Sequence, residues 1–308
     1  MSLTLVEAAK RSQNPIQSAI IEMYAMNSDI LMALPFDDIE GNALRYNREE
    51  TLPGVGFRGI NESYTESTGV LNPQVEPLVI AGGDLDVDMF ILKTMGESHR
   101  SVQENMKVKA LALAWTKSFF KGDSTSDPRE FDGLQVRLTG NQLLYAGTTD
   151  GGDALSLSKL DQLIDIVDSP THLVMNKTMR RRLTAAARST TIGGFITWDV
   201  DAFGRKIARY GDLPILIVDY DNTNAQILPF TEVGYTGSTA TACSIYCVSL
   251  TDGMLTGIQN GGIDARDLGE LQTKPAKRTR VEWYAGIAAR HGRCAARLGG
   301  VKDAAVTA

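Results

Sequence analysis

The sequence predicts an α+β protein, and three observations carry that prediction. Leu85, Val87 and Met89 alternate with Asp84, Asp86 and Asp88, the period of two that marks a half-buried strand with an acidic face. From Thr94 to Phe120 there is no proline, and Val102, Met106, Leu113 and Phe120 recur at helical spacing, with Leu111, Trp115 and Phe119 broadening the stripe. From about residue 150 short helical and strand patterns mix, before Thr279 to Arg290 returns to alternation.

Taken in order, residues 3–34 read as helical. Asn14-Pro15 is an N-cap followed by proline at the first helical position, and Ile16, Ile20, Met23, Ile30 and Leu34 form an apolar stripe that Pro35 and Gly41 end. The stripe serves equally well to pack on its own domain or on a neighbour. Residues 45–77 differ in kind. Their larger apolar residues are few, and Pro53, Pro73, Pro77 and four glycines break any helix. So little apolar surface does not offset the ordering entropy, and something outside the segment must hold it. Gly82-Gly83 reads as a turn before the acidic-faced strand. The following helix would be about 40 Å long, ending at Gly122, with turn chemistry over 123–128.

In the central block, Ser158 and Asp161 form a capping box before Leu160, Leu163, Ile164 and Val167. His172–Met175 is a short strand, and Asn176 caps a helix through Met179, Leu183 and Ala187. Leu213–Val218 and Ser244–Ser249 read as buried strands, and Val281 and Trp283 share one face of the last strand opposite Arg280, Glu282 and Tyr284.

The 308 residues suffice for a sizeable core, and 43% hydrophobic with 22% charged residues is an ordinary globular composition. No apolar run approaches the roughly 20 residues that span a bilayer, and the first residues lack a secretory apolar region. Cys243, Cys247 and Cys294 read as reduced thiols, the first two on one strand face. The net charge of −6 is uneven: residues 266–302 hold nine Lys/Arg against three Asp/Glu, while 1–265 hold 22 against 33. That distribution argues against general nucleic-acid binding and suits contacts between copies of the chain, with a solvated charged face as the default reading.

Gly54, Gly56 and Gly59 have the spacing G-x-G-x-x-G of a dinucleotide loop. Such a loop follows a buried strand and opens a helix, and neither flank here fits. The glycines read as turns and close backbone approaches. His99, His172 and His291 are isolated, and Asp219–Asn224 starts like a calcium loop but lacks its sixth-position glycine and has Phe230 at the twelfth. Asp123, Asp127, Glu130 and Asp132 read as turn and helix-end residues rather than a cation site. No catalytic, cofactor or metal residues are assigned, and the chain is expected not to be an enzyme.

The order of elements, together with particular residues, resembles the major capsid proteins of tailed bacteriophages, whose architecture is called the Johnson fold. The residues are Phe119-Phe-Lys-Gly-Asp123 with Asp127-Pro-Arg-Glu-Phe-Asp-Gly-Leu134, then His172–Asn176, Gly204–Asp219, Gly257-Ile-Gln259, Asp267–Glu270 and Thr279–Gly286. The resemblance implies an N-terminal arm over 1–40 and an extended E-loop over 41–80. It further implies a peripheral (P) domain over 81–149 with its spine helix at 94–121, an axial (A) domain over 150–265, and P-domain return strands over 266–308. It explains the coreless segment, since an E-loop lies over the adjacent subunit. Inter-subunit contacts are expected at Arg48, Glu49, Glu50, Phe57, Arg58, Glu62 and Glu66. The basic Lys274, Lys277, Arg278 and Arg280 are expected to meet such loop acids in a neighbour.

The implied function is a major capsid protein of the virion, assembled in the host cytoplasm. Its hexamers and pentamers would form an icosahedral shell around double-stranded DNA, touched only weakly and non-specifically. Some relatives crosslink through an E-loop lysine, but no lysine lies between Lys10 and Lys93, so the shell is expected to be non-covalent. Some relatives carry a scaffold-like N-terminal extension, so the expectation is a separate scaffolding protein or an extension cleaved from a longer precursor, with Met1 directly before the arm favouring the first. A portal and a decoration protein are the other implied partners. The alternatives are an encapsulin-type compartment of the same fold and, from another class, a nucleotide-dependent enzyme using Gly54, Gly56 and Gly59.

Overall fold

A belt of aromatic rings joins the first described strand, the long helix and the longest hairpin among the described residues. The computed structural model describes residues 28–95, 97–188, 195–200 and 206–307. Most of the helix expected over 3–34 therefore lies outside the described residues, as do Gly204 and Arg205. Within them, α1 (Asp29–Ala33) leads into β1 (Phe36–Asp38). Ile30, Leu31 and Leu34 are fully buried in the chain's own core, so this end of the stripe packs at home.

Strand β4 (Val79–Asp88) is longer than the alternation suggested, and Gly82 and Gly83 lie within it, not in a turn before it. The reason is steric: a Cβ on Gly82 would sit 2.3 Å from the Val281 carbonyl oxygen, so glycine lets the neighbouring strand approach. Met89 leaves the strand pattern and opens α2 (Met89–Met95), where the Asp88 carboxylate accepts the Phe90 N–H at 2.7 Å. Helix α3 (Glu97–Lys121) follows. Its buried face runs through Val108, Leu111, Ala112, Trp115, Phe119 and Phe120, whereas Val102 and Met106 of the expected stripe are exposed.

β4 pairs with β13 (Ala276–Ala289), β13 with β12 (Leu255–Glu270), and β12 in parallel with β1, giving the four-stranded order β1-β12-β13-β4. Phe36, Trp115 and Trp283 meet with centroids 5.3–5.7 Å apart, and Phe131 joins Trp115 at 5.9 Å. Gly257 makes this possible, since its Cβ would stand 2.4 Å from the Phe36 ring. The Trp283 indole N–H donates to Gln259 Oε1 at 3.1 Å, so the buried ring is satisfied.

The second sheet has the order β5-β14-β11-β6-β9-β8-β7, with β10 (Glu232–Val233) on β11. Its strands are β5 (Leu143–Tyr145), β6 (His172–Met175), β7 (Ile196–Val200), β8 (Lys206–Tyr210), β9 (Leu213–Ile217), β11 (Ala240–Val248) and β14 (Ala295–Lys302). After α4 (Leu134–Arg137), helices α5 (Leu157–Ile166) and α6 (Lys177–Ala187) pack on one face with Leu173, Met175, Cys243, Ile245 and Cys247. Val174, Tyr246 and Val248 point to the other face and join the core of α3. Period-two alternation thus lets one sheet serve two cores. Asn176 caps α6 by accepting the Met179 N–H at 2.8 Å. The expected capping box fails: the N-cap of α5 is Ser156, Ser158 lies inside the helix, and Asp161 accepts the Tyr210 hydroxyl at 2.6 Å. All three cysteines are buried free thiols, and burial pushes their titration upward, Cys247 to about 12 and Cys294 to about 11.

Candidate interaction surface

Strands β2 (Ala43–Thr51) and β3 (Val70–Pro77) form a two-stranded sheet that pairs with no other strand among the described residues. An isolated hairpin is marginal in water, so its root must be fixed. The Tyr46 hydroxyl and Arg48 Nη2 both donate to the Ala289 carbonyl oxygen, at 2.8 and 2.7 Å. Arg137 grips the buried Glu76 carboxylate with two parallel bonds of 2.6 and 2.7 Å. Burial is the main cause that raises the Tyr46 pKa, with Glu76 adding to it. This clamp was not anticipated from sequence; the one local signal is a carboxylate at position 76 between Val75 and Pro77.

Beyond the clamp, residues 52–69 form a tip with almost no regular structure. Leu52, Val55, Phe57, Ile60 and Tyr64 are 67–107% exposed. Large apolar side chains this open, grouped in one loop, form an exposed cluster of the kind that contact surfaces use. The tip is nonetheless ordered by its own polar groups. Arg58 lies over the Tyr64 ring at 5.3 Å and donates to the Glu62 carbonyl at 3.2 Å. The Ser67 hydroxyl donates to the Gly54 carbonyl at 2.8 Å.

The Gly59 N–H donates to the Glu62 carboxylate at 2.8 Å. A negative side chain therefore occupies the donor a phosphate would need. The tip follows an exposed hairpin strand and opens no helix, so the G-x-G-x-x-G spacing does not build a dinucleotide cradle here.

Of the other residues singled out from sequence, Glu49 and Glu50 lie in β2, their side chains outside the described set, and Glu66 is exposed on the tip. The cations of β13 and the turn before it are engaged within the chain. Register places Arg280 opposite Asp84 and Arg278 opposite Asp86. Arg280 Nε lies 2.7 Å from Asp84, Arg278 Nε 2.6 Å from Asp86, Lys274 2.5 Å from Asp86, and Lys277 3.5 Å from Glu97. Hydrogen bonds from Arg280 and Arg278 hold the Asp84 and Asp86 carboxyls below their ordinary range. No contact joins this ladder to the loop tip among the described residues.

Polar turns account for the candidate cation sites. Asp123 accepts from Thr125 and Ser126, Asp132 from the Ser124 N–H at 2.8 Å, and Asp221 from Thr223 and Ala225. No group of metal-ligating side chains occurs among the described residues, and no helix is long and apolar enough to cross a membrane.

No family model matches the chain, and no curated protein sequence matches it. Solved structures do. The SrpI encapsulin complex of Synechococcus elongatus superposes with a TM-score of 0.64 at 16% identity, covering 89% of this chain and 88% of that one. The capsid of an empty GTA particle gives 0.61 at 14% identity, over 89% and 90%. A structure from Mycobacterium phage Bobi gives 0.60 at 11% identity, over 88% and 89%. The chain has the Johnson fold of phage capsids and encapsulins over nearly its whole length, as its resemblance implied.

Proposed function

We propose that the chain is a major capsid protein, the subunit of an icosahedral shell that encloses double-stranded DNA. The observation that carries this reading is the clamped hairpin with five large apolar residues at its exposed tip. A chain gains nothing by holding such a surface in water; a second copy laid against it gains the burial. Repeated by symmetry in hexamers and pentamers, many modest contacts give a shell more stable than any one of them. In this reading 1–40 is the N-terminal arm, 41–80 the E-loop, 81–149 with 266–308 the P domain, and 150–265 the A domain. The apolar tip supplies the adhesion. The paired cations at 274–280 help set register rather than strength.

Deleting residues 50–67 tests the proposal. The expected variant is folded by circular dichroism and forms no closed shells in negative-stain images; intact shells would overturn it. The shell is held without covalent links, so boiled, reduced particles run as monomer on a denaturing gel. A separate scaffolding protein, a portal and a decoration protein complete the assembly pathway in the host cytoplasm.

The encapsulin in the same fold supports a second reading, a compartment that encloses proteins. Purified particles separate the two: nuclease-protected nucleic acid supports the capsid, and a co-purifying enzyme with no nucleic acid supports the compartment.

A further inference from the structure

Helix α6 carries its charge at the end where helices disfavour it. Lys177, Arg180, Arg181 and Arg182 crowd its N-terminal half, and its first turn holds no acidic residue. That end is the positive pole of the helix, so the cations add repulsion to it and to one another. Asp219 neutralises Lys177, and Asp303 pairs with Arg182 at 2.7 Å. Arg180, Arg181 and Arg188 have no ion-pair partner among the described residues, and Arg180 Nε is buried with no hydrogen-bond acceptor.

These side chains line a cavity of about 380 Å³ between α6 and β7, which Lys177, Thr184 and Trp198 help to complete. No acidic residue lines it among the described residues. Trp198 presents its indole 52% exposed at the rim. A site that breaks the local charge rule in a chain of net charge −6 is where a ligand is expected to supply the missing charge.

The arrangement selects among anions. Lys177 to Arg188 spans about 16 Å along the helix, over which a nucleic-acid strand presents several phosphates. One protein carboxylate would satisfy one guanidinium and leave the others unpaired. A run of phosphodiesters serves all of them, and guanidinium groups match phosphate oxygens two at a time. A half-exposed indole beside the cations offers a stacking platform for an unpaired base.

We propose that this groove is a nucleic-acid contact in which Arg180, Arg181 and Arg188 hold backbone phosphates and Trp198 stacks on a base. It marks a local exception to an otherwise acidic body. The assignment rests on this cavity alone and not on the shell reading, since a chain that formed no shell would still hold the groove.

Fluorescence anisotropy of labelled 20-nucleotide single strands and 20-base-pair duplexes with the full-length protein tests it. Replacing all three arginines (R180Q, R181Q and R188Q together) is expected to weaken binding of both by at least about tenfold. It should also flatten the dependence of log K on log salt by about two for single strands. Replacing the same three by lysine should largely restore the salt slope, which separates lost charge from lost fold, and circular dichroism checks the helix directly. Trp198→Ala should cost about tenfold on single strands and leave duplex binding unchanged. Unchanged binding in the triple glutamine variant would overturn the proposal. So would equal competition by a polyglutamate of matched charge, which would make the groove a docking site for acidic protein. Particle formation, scored separately by electron microscopy, reports on the shell reading and leaves this result independent of it.

Discussion

The aromatic belt and the loop tip hold similar kinds of side chain in opposite situations. Phe36, Trp115, Phe131 and Trp283 are 0–4% exposed, while Val55, Phe57 and Ile60 are 93% exposed or more. The belt residues find partners from strands and a helix distant in sequence. The tip residues find almost none, because the hairpin that carries them is clamped at its root and projects. The difference teaches that burial and exposure of large apolar groups are kept in separate parts of this chain, and in the proposed reading stability belongs to the first and association to the second. Substitutions should therefore divide into those that unfold it and those that leave it folded and solitary.

The largest effect on stability is expected at Trp283. Trp283→Ala removes the ring that both Phe36 and Trp115 lean on and leaves Gln259 without its donor. Loss of about 3–5 kcal/mol in urea unfolding is expected. A loss below about 1 kcal/mol would mean the belt is not the centre of the core. The clamp comes next. Arg137→Ala leaves the Glu76 carboxylate buried with only the longer Tyr46 bond at 3.3 Å, and breaking such a pair costs about 3 kcal/mol. Because the clamp lies between body and loop, this variant should also assemble poorly at temperatures where it remains folded. Normal assembly of the folded variant would show that the loop is oriented by something else.

At the tip the comparison predicts the reverse. F57S with I60S should change the urea midpoint little, since neither side chain is buried in the single chain. The same double variant should abolish or strongly reduce particles by size-exclusion chromatography. Particles in wild-type yield would remove the tip from the interface.

Sequence made the first of these regions more legible than the second. Alternation through Leu85 and Val87, the proline-free run to Phe120 and the Asn176 cap are local signals that give the strand, the helix and the cap, although the helical stripe is buried only from Val108 onward. The exposed tip was legible as a deficit, too little apolar surface for its length. Pairing across the sheet was not legible. Nothing local says that Arg280 faces Asp84, so the intrachain pairs of these cations are visible only once the register of β4 on β13 is known. Gly82-Gly83 misled for the same reason: a glycine pair marks a turn or a close neighbouring strand, and only the position of β13 decides between them. The Glu76 and Arg137 clamp joins residues 61 apart in the chain, beyond any periodicity.

The acid–arginine ladder should give the smallest effect, and its sign follows from the carboxyls. Asp84 and Asp86 titrate lower in the folded chain than in the unfolded one, because Arg280 and Arg278 hydrogen-bond their charged forms. Their contribution is therefore complete above the ordinary aspartate pKa of about 4 and is lost as pH falls below it. D84N with D86N removes that dependence. The drop in melting temperature between pH 5 and pH 3 should be measurably smaller in the double variant than in wild type. Because these pairs stand at a partly exposed sheet edge, 1 M salt should shrink the difference further. If the two proteins lose stability in parallel over that range, the ladder contributes nothing to the fold. Its cations would then exchange their intramolecular acids for those of a neighbouring copy at little cost to the fold, which would strengthen the register role proposed for Lys274, Lys277, Arg278 and Arg280.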